Sequence, residues 1–135
     1  MFKSYRLSKS KYLSGLQCHK RLWLEIHSPE LISPTPPTQE RIFNQGTYVG
    51  ELARERFPGG ILIDTDYDKI SEAFDLTKEA LENGTSTIFE GVFSFDNVLV
   101  RPDVIKQDEN NDWELIEVKS STSVKEENIH DVAVQ

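Results

Sequence analysis

Three strand-like segments, at about residues 87–95, 98–105 and 113–119, are joined by two turns that fix how they pair. Asp96-Asn97 is a two-residue hairpin turn, and residues 107–112, Gln-Asp-Glu-Asn-Asn-Asp, form a polar loop. Turn position matters because a one-residue slip sends every side chain to the other face. With Phe95 opposite Val98, counting outward puts Glu90 opposite Asp103. Folding the second hairpin about the middle of its loop puts Asp103 opposite Glu117, within one residue. Directly opposed residues lie about 4.5–5.5 Å apart and share a face. Three adjacent strands therefore carry Glu90, Asp103 and Glu117 in one row. Carboxylates so placed repel one another unless a cation sits between them. Lys119, two residues beyond Glu117, projects from the same face. Asp, Glu and Lys in this arrangement can hold a divalent metal ion and activate a water molecule for phosphodiester cleavage.

The segments around this meander read as helices with short connections. Ser8 is an N-cap for a helix over about 9–18. Residues 33–38, Ser-Pro-Thr-Pro-Pro-Thr, form an extended proline-rich connection. Thr38 is the expected cap of a helix over about 39–57, where Ile42, Val49, Leu52, Ala53 and Phe57 make an apolar stripe. Pro58-Gly59-Gly60 ends it, Ile61-Leu62-Ile63 is a short strand, and 71–81 is a helix closed by Asn83-Gly84. A last helix begins near Glu126. It stops at Gln135 without cap or breaker, so the sequence reads as the N-terminal piece of a longer protein. Helices, then a meander, then a helix predict an α/β (α+β) fold: a mixed central sheet containing an antiparallel meander, flanked by helices.

A chain of 135 residues is one domain's worth of sequence. It divides into a basic N-terminal helical segment (1–32), the proline-rich connection (33–38) and a core (39–135). No apolar run approaches the roughly 20 residues of a membrane span, and no apolar segment follows the basic start to make a signal peptide. One cysteine makes no internal disulfide, so a cytoplasmic location is expected, without membrane association. The net charge of −8 argues against nucleic acid until its distribution is considered. Lys3, Arg6, Lys9, Lys11, Lys20 and Arg21 are the only charged residues among the first 21, which leaves 9 basic against 23 acidic side chains elsewhere. Such a segment suits either a phosphate-gripping element, with Lys9, Lys11, Lys20 and Arg21 as contacts, or a solvated helix face.

Arg101-Pro102-Asp103 with Glu117-Val118-Lys119 resembles the PD-(D/E)XK nuclease superfamily, and more narrowly its RecB-type branch, which includes CRISPR-associated iron–sulfur exonucleases. Leu7-Ser8-Lys9-Ser10 with Leu16-Gln17-Cys18-His19-Lys20-Arg21-Leu22-Trp23 resembles that branch's N-terminal segment. Gly46-Thr47-Tyr48-Val49-Gly50 falls at its glycine-led helix, and Gln135 at a glutamine in the helix after the lysine strand. The resemblance implies a restriction-endonuclease-like core, truncated at its C-terminus here, that hydrolyses DNA in repair or defence. It implies Mg²⁺ or Mn²⁺ on Asp103, Glu117 and the Val118 carbonyl. Lys119 would orient or deprotonate the attacking water, and Gln135 would contact substrate or organise the site. Cys18 would be the first ligand of a 4Fe–4S cluster formed only in a full-length protein, the other three coming from the C-terminal remainder of the chain.

Two departures accompany it. The family's glycine-led motif ends in His where this chain has Gly50, so either Glu51 or Glu90 takes that ligand's place or the site has lost a member. One cysteine also cannot hold a cluster that uses four thiolates. The alternatives are a catalytically degraded module of the same fold that binds nucleic acid or protein, and a metal-dependent hydrolase of another substrate.

Overall fold

The computed structural model describes residues 6–34 and 36–135. Lys3 of the basic segment and Thr35 of the proline-rich connection lie outside them. In chain order the elements are β1 (Leu7–Ser8), α1 (Lys9–Gln17), α2 (His19–His27), a 3-10 turn (Pro29–Leu31), α3 (Pro37–Glu55), β2 (Ile61–Leu62) and α4 (Ile70–Glu82). Five short strands follow, β3 (Thr87–Phe89), β4 (Phe93–Phe95), β5 (Val98–Val100), β6 (Val104–Gln107) and β7 (Trp113–Ile116), and then α5 (Glu126–Val134). The fold is mixed α/β, with two sheets in the orders β1-β5-β4 and β2-β3-β6-β7. In each, a short strand from earlier in the chain adds in parallel to an antiparallel unit.

Two sheets are a correction to the single sheet of three long strands expected from the sequence. The first two of those strands each break in the middle, at residues 90–92 and 101–103. Glu90 takes a left-handed conformation (φ 57°), which ends its ladder. The Arg101 guanidinium enters the break, donating to the Glu90 carbonyl at 3.1 Å and the Ile63 carbonyl at 2.9 Å. Beyond it the Val92 N–H donates to Thr77 Oγ1 at 3.0 Å instead of to a neighbouring strand. The third strand ends early because the Val118 N–H donates to the Asp103 carboxylate.

Helix α4 binds the sheets together. Ile70, Ala73, Phe74, Thr77 and Ala80 recur at helical spacing, and Ala73 and Ala80 join Ile63, Ile88 and Val92 in the buried core. Thr77 is buried without penalty because its hydroxyl also donates to the Ala73 carbonyl. Gly60 is required by close approach, since a Cβ there would stand 2.3 Å from the Phe89 ring.

At the N-terminus, Ser8 caps α1 through the Lys11 N–H at 3.3 Å. The basic segment is part of the body: β1 pairs with β5, and α1 reaches Glu117, just after β7, and α5 through Lys9. Helix α3 departs from expectation. It starts at Pro37, after Pro36, with no side-chain cap from Thr38. Ile42 and Leu52 of its expected stripe are exposed, and only its C-terminal turns meet the body, where the Phe57 ring lies 6.5 Å from that of Phe89.

Candidate functional site

The ladders settle the register of the acidic row. Val104 pairs with Ile116 and Phe89 with Val104. One residue further along, Asp103 stands beside Glu117 and Glu90 beside Asp103, where the Glu90 N–H donates to the Asp103 carbonyl at 3.2 Å. The three carboxylates lie at the end of the four-stranded sheet, next to the break that divides the molecule's two sheets.

The Glu117 side chain is 4% exposed and fully partnered. Its Oε1 accepts from Lys9 Nζ and Lys119 Nζ, each at 2.8 Å, and its Oε2 accepts from Gln135 Nε2 at 3.0 Å. Asp131, on α5 one helical turn before Gln135, completes the cluster. Its side chain is 4% exposed, with Oδ1 3.2 Å from Lys9 Nζ and Oδ2 bonded to Lys119 Nζ. Burial alone would raise Glu117, but the bonds from Gln135, Lys119 and Lys9 outweigh it and bring the carboxyl down to about 2. Burial likewise lowers both lysines, yet Glu117 and Asp131 overcome it and hold each above the ordinary value.

Asp103 and Glu90 stand in a different field. Burial raises Asp103 against the pull of the Val118 N–H, bonded to its Oδ2 at 2.6 Å, and the Glu117 charge raises it further. Burial and the Asp103 charge raise Glu90, outweighing Arg101, whose Nε is 3.4 Å from Glu90 Oε2.

Among the described residues no three His, Cys, Asp or Glu side chains stand close enough together to hold a metal ion as placed. The donor chemistry of the row nevertheless fits a hard divalent cation. All its donors are oxygens, Asp103 and Glu90 are each pushed up by burial and by a neighbouring carboxylate, and the Lys9 and Lys119 ammoniums already sit where positive charge is favoured.

The remaining sequence candidates are dispersed. Glu51 is exposed on α3, and among the described residues no hydrogen bond or ion pair joins its side chain to the row. Cys18 is exposed at the junction of α1 and α2 and forms no disulfide. Lys20 is exposed, Lys11 half-buried, and Arg21 pairs with Glu25 at 2.9 Å. Lys9, a candidate for phosphate contact, points instead at Glu117 and Asp131. Asp131 was not a sequence candidate, although its four-residue spacing from Gln135 on one helix face was a usable signal. From Glu117 and Lys119 a groove of about 690 Å³ opens along Ser121, Thr122, Ser123 and the Asn128–Val132 face of α5. No helix among the described residues is long and apolar enough to cross a membrane.

No protein-family model, curated protein or solved structure matches this chain.

Proposed function

We propose that this chain is a metal-dependent nuclease domain of the PD-(D/E)XK type, RecB-like, with a restriction-endonuclease-like core, hydrolysing DNA phosphodiester bonds in repair or defence. The observation that carries this reading is the row Glu90–Asp103–Glu117 at the ends of adjacent strands, with Lys119 beside Glu117 and a groove opening from both. The meander lying between α4 and α5 in the chain supports the fold assignment.

Asp103, Glu117, the Val118 carbonyl and Glu90 would hold Mg²⁺ or Mn²⁺, which when bound supplies positive charge to a phosphate oxygen and to the attacking water. Lys119, held as an ammonium, donates to the water or the phosphate and opposes the charge that develops there. Gln135 fixes Glu117 through Oε2, so this carboxylate cannot swing away from the row. The groove beside Lys119 gives a phosphate-bearing strand a path to these groups.

The second reading, a degraded module that binds nucleic acid or protein, is favoured by one observation. Both Glu117 oxygens are already occupied by chain donors, and Gly50 offers no ligand. Cleavage of a labelled DNA duplex and single strand in Mn²⁺ decides between the readings. The nuclease reading predicts cutting that Asp103→Asn and Lys119→Ala both abolish. DNA binding without cutting contradicts it and selects the module.

A further inference from the structure

Asp131 lies outside the acidic row and on a different element, yet it is more buried than either Glu90 or Asp103. A carboxylate at 3% exposure is costly unless charges or donors meet it. Both of its oxygens face ammoniums, one from α1 and one from the segment after β7. The same two ammoniums meet on Glu117 Oε1. Lys9, Lys119, Glu117 and Asp131 thus form a closed four-membered array of alternating charge, with no net charge.

Without Asp131, Glu117 would face two ammoniums alone, and those ammoniums would repel each other with one counter-charge between them. Lys119 has a flexible four-carbon stem in an exposed segment beyond β7, which offers its Nζ the Glu117 carboxylate two residues away but no second restriction. Asp131 supplies that restriction. It stands on a helix anchored at its start by the Asn128 side chain, which accepts from the Lys125 N–H at 2.9 Å. Gln135, one turn further on, donates both to Glu117 and to the Asp131 carbonyl.

We propose that Asp131 is the positioning residue of this site: it holds Lys119 and Lys9 on Glu117 and so makes the N-terminal helix α1 part of the active centre. The proposal rests on the nuclease reading for its kinetic consequence alone, because the lysine clamp can be measured without turnover.

The test uses the full chain. Competitive acetylation read by mass spectrometry is expected to show Lys9 and Lys119 reacting about tenfold more slowly than exposed Lys20 and Lys78, and Asp131→Asn is expected to speed both. Asp131→Asn is also expected to lower kcat for DNA about 10- to 100-fold, with KM and Mn²⁺ affinity within about threefold, as for an outer-sphere support. Asp131→Glu, which keeps the charge, recovers part of kcat. The surface variant Glu126→Gln changes none of these. Equal reactivity of Lys9, Lys119 and Lys20 in the wild type overturns the clamp, and that measurement needs no variant to fold. Loss of Mn²⁺ binding in Asp131→Asn overturns it differently, by making Asp131 an ion ligand. A wild type that cleaves no DNA but shows the protected lysines, released by Asp131→Asn, retires the nuclease reading and leaves the clamp standing.

Discussion

Glu117 and Asp103 are neighbours just beyond the ends of adjacent strands, similarly buried, and their carboxyl groups are displaced in opposite directions. Glu117 receives an ammonium from α1, a second from Lys119 two residues on, and an amide from Gln135 at the end of α5, while Asp103 receives one backbone N–H and faces carboxylates on both sides. Glu117 is neutralised by two ammoniums of the chain, whereas among the described residues Asp103 has no ion pair and Glu90 has only Arg101, at 3.4 Å. That difference locates the deficit of positive charge at Asp103 and Glu90. Glu90 also holds a left-handed conformation, which costs of order 1–3 kcal/mol and persists only where the surroundings over-determine it. Arg101 supplies that determination by bonding to both the backbone and the side chain of Glu90.

The comparison breaks or sharpens under substitution. The largest effect is expected at Lys119: Lys119→Ala lowers DNA cleavage about 10²- to 10³-fold in single-turnover kinetics while Mn²⁺ still binds, because the lost group acts on the reacting phosphate and is not an ion ligand. Glu117→Gln comes next. It leaves two partly buried ammoniums with Asp131 as their shared counter-charge and should destabilise the chain by about 3 kcal/mol in urea titration. Glu90→Gln has the opposite sign. It removes one of two repelling charges and should stabilise the metal-free chain by about 1 kcal/mol while weakening Mn²⁺ binding. Equal signs for the two substitutions would erase the distinction between the halves.

The same contrast predicts opposite pH behaviour. The folded pKa of Glu117 is depressed, so its stabilisation is present above the ordinary value of 4.5 and is lost as pH falls toward about 2. The folded pKa values of Asp103 and Glu90 are raised, so their ionisation costs stability as pH rises through those values. The stabilisation from Glu90→Gln should therefore disappear on acidification to about pH 4, as followed by thermal unfolding. The smallest effect is a control. Gly50 lies within α3, one turn from Arg54, and a Cβ there meets nothing within 4 Å. Gly50→Ala should stabilise the chain by about 0.5–1 kcal/mol and leave Mn²⁺ affinity unchanged.

The register of the row was legible because turns set it. Asp96 and Asn97 both adopt positive φ, as a two-residue hairpin turn requires, and the 107–112 loop closes on Asp108, whose carboxylate accepts from the Asn110 and Asp112 N–H groups. The helices near 9–18 and 71–81 were legible from caps and periodicity. The break in the strands was not, because it depends on Arg101 reaching the Ile63 carbonyl across 38 positions. Lys9 and Glu117 meet across 108 positions, and no local pattern announces such a pair. Asp131 looked like one more acid in a chain with 23 of them, and only the packing of α5 separates it from the rest.

The central claim is that the un-neutralised half of the row takes a divalent cation. Calorimetric titration of Mn²⁺ into the wild-type chain and into Asp103→Asn tests it most directly. The account predicts one ion bound by the wild type and none by the variant. Equal binding by both, or no binding by either, would contradict it and leave the row as a structural charge array.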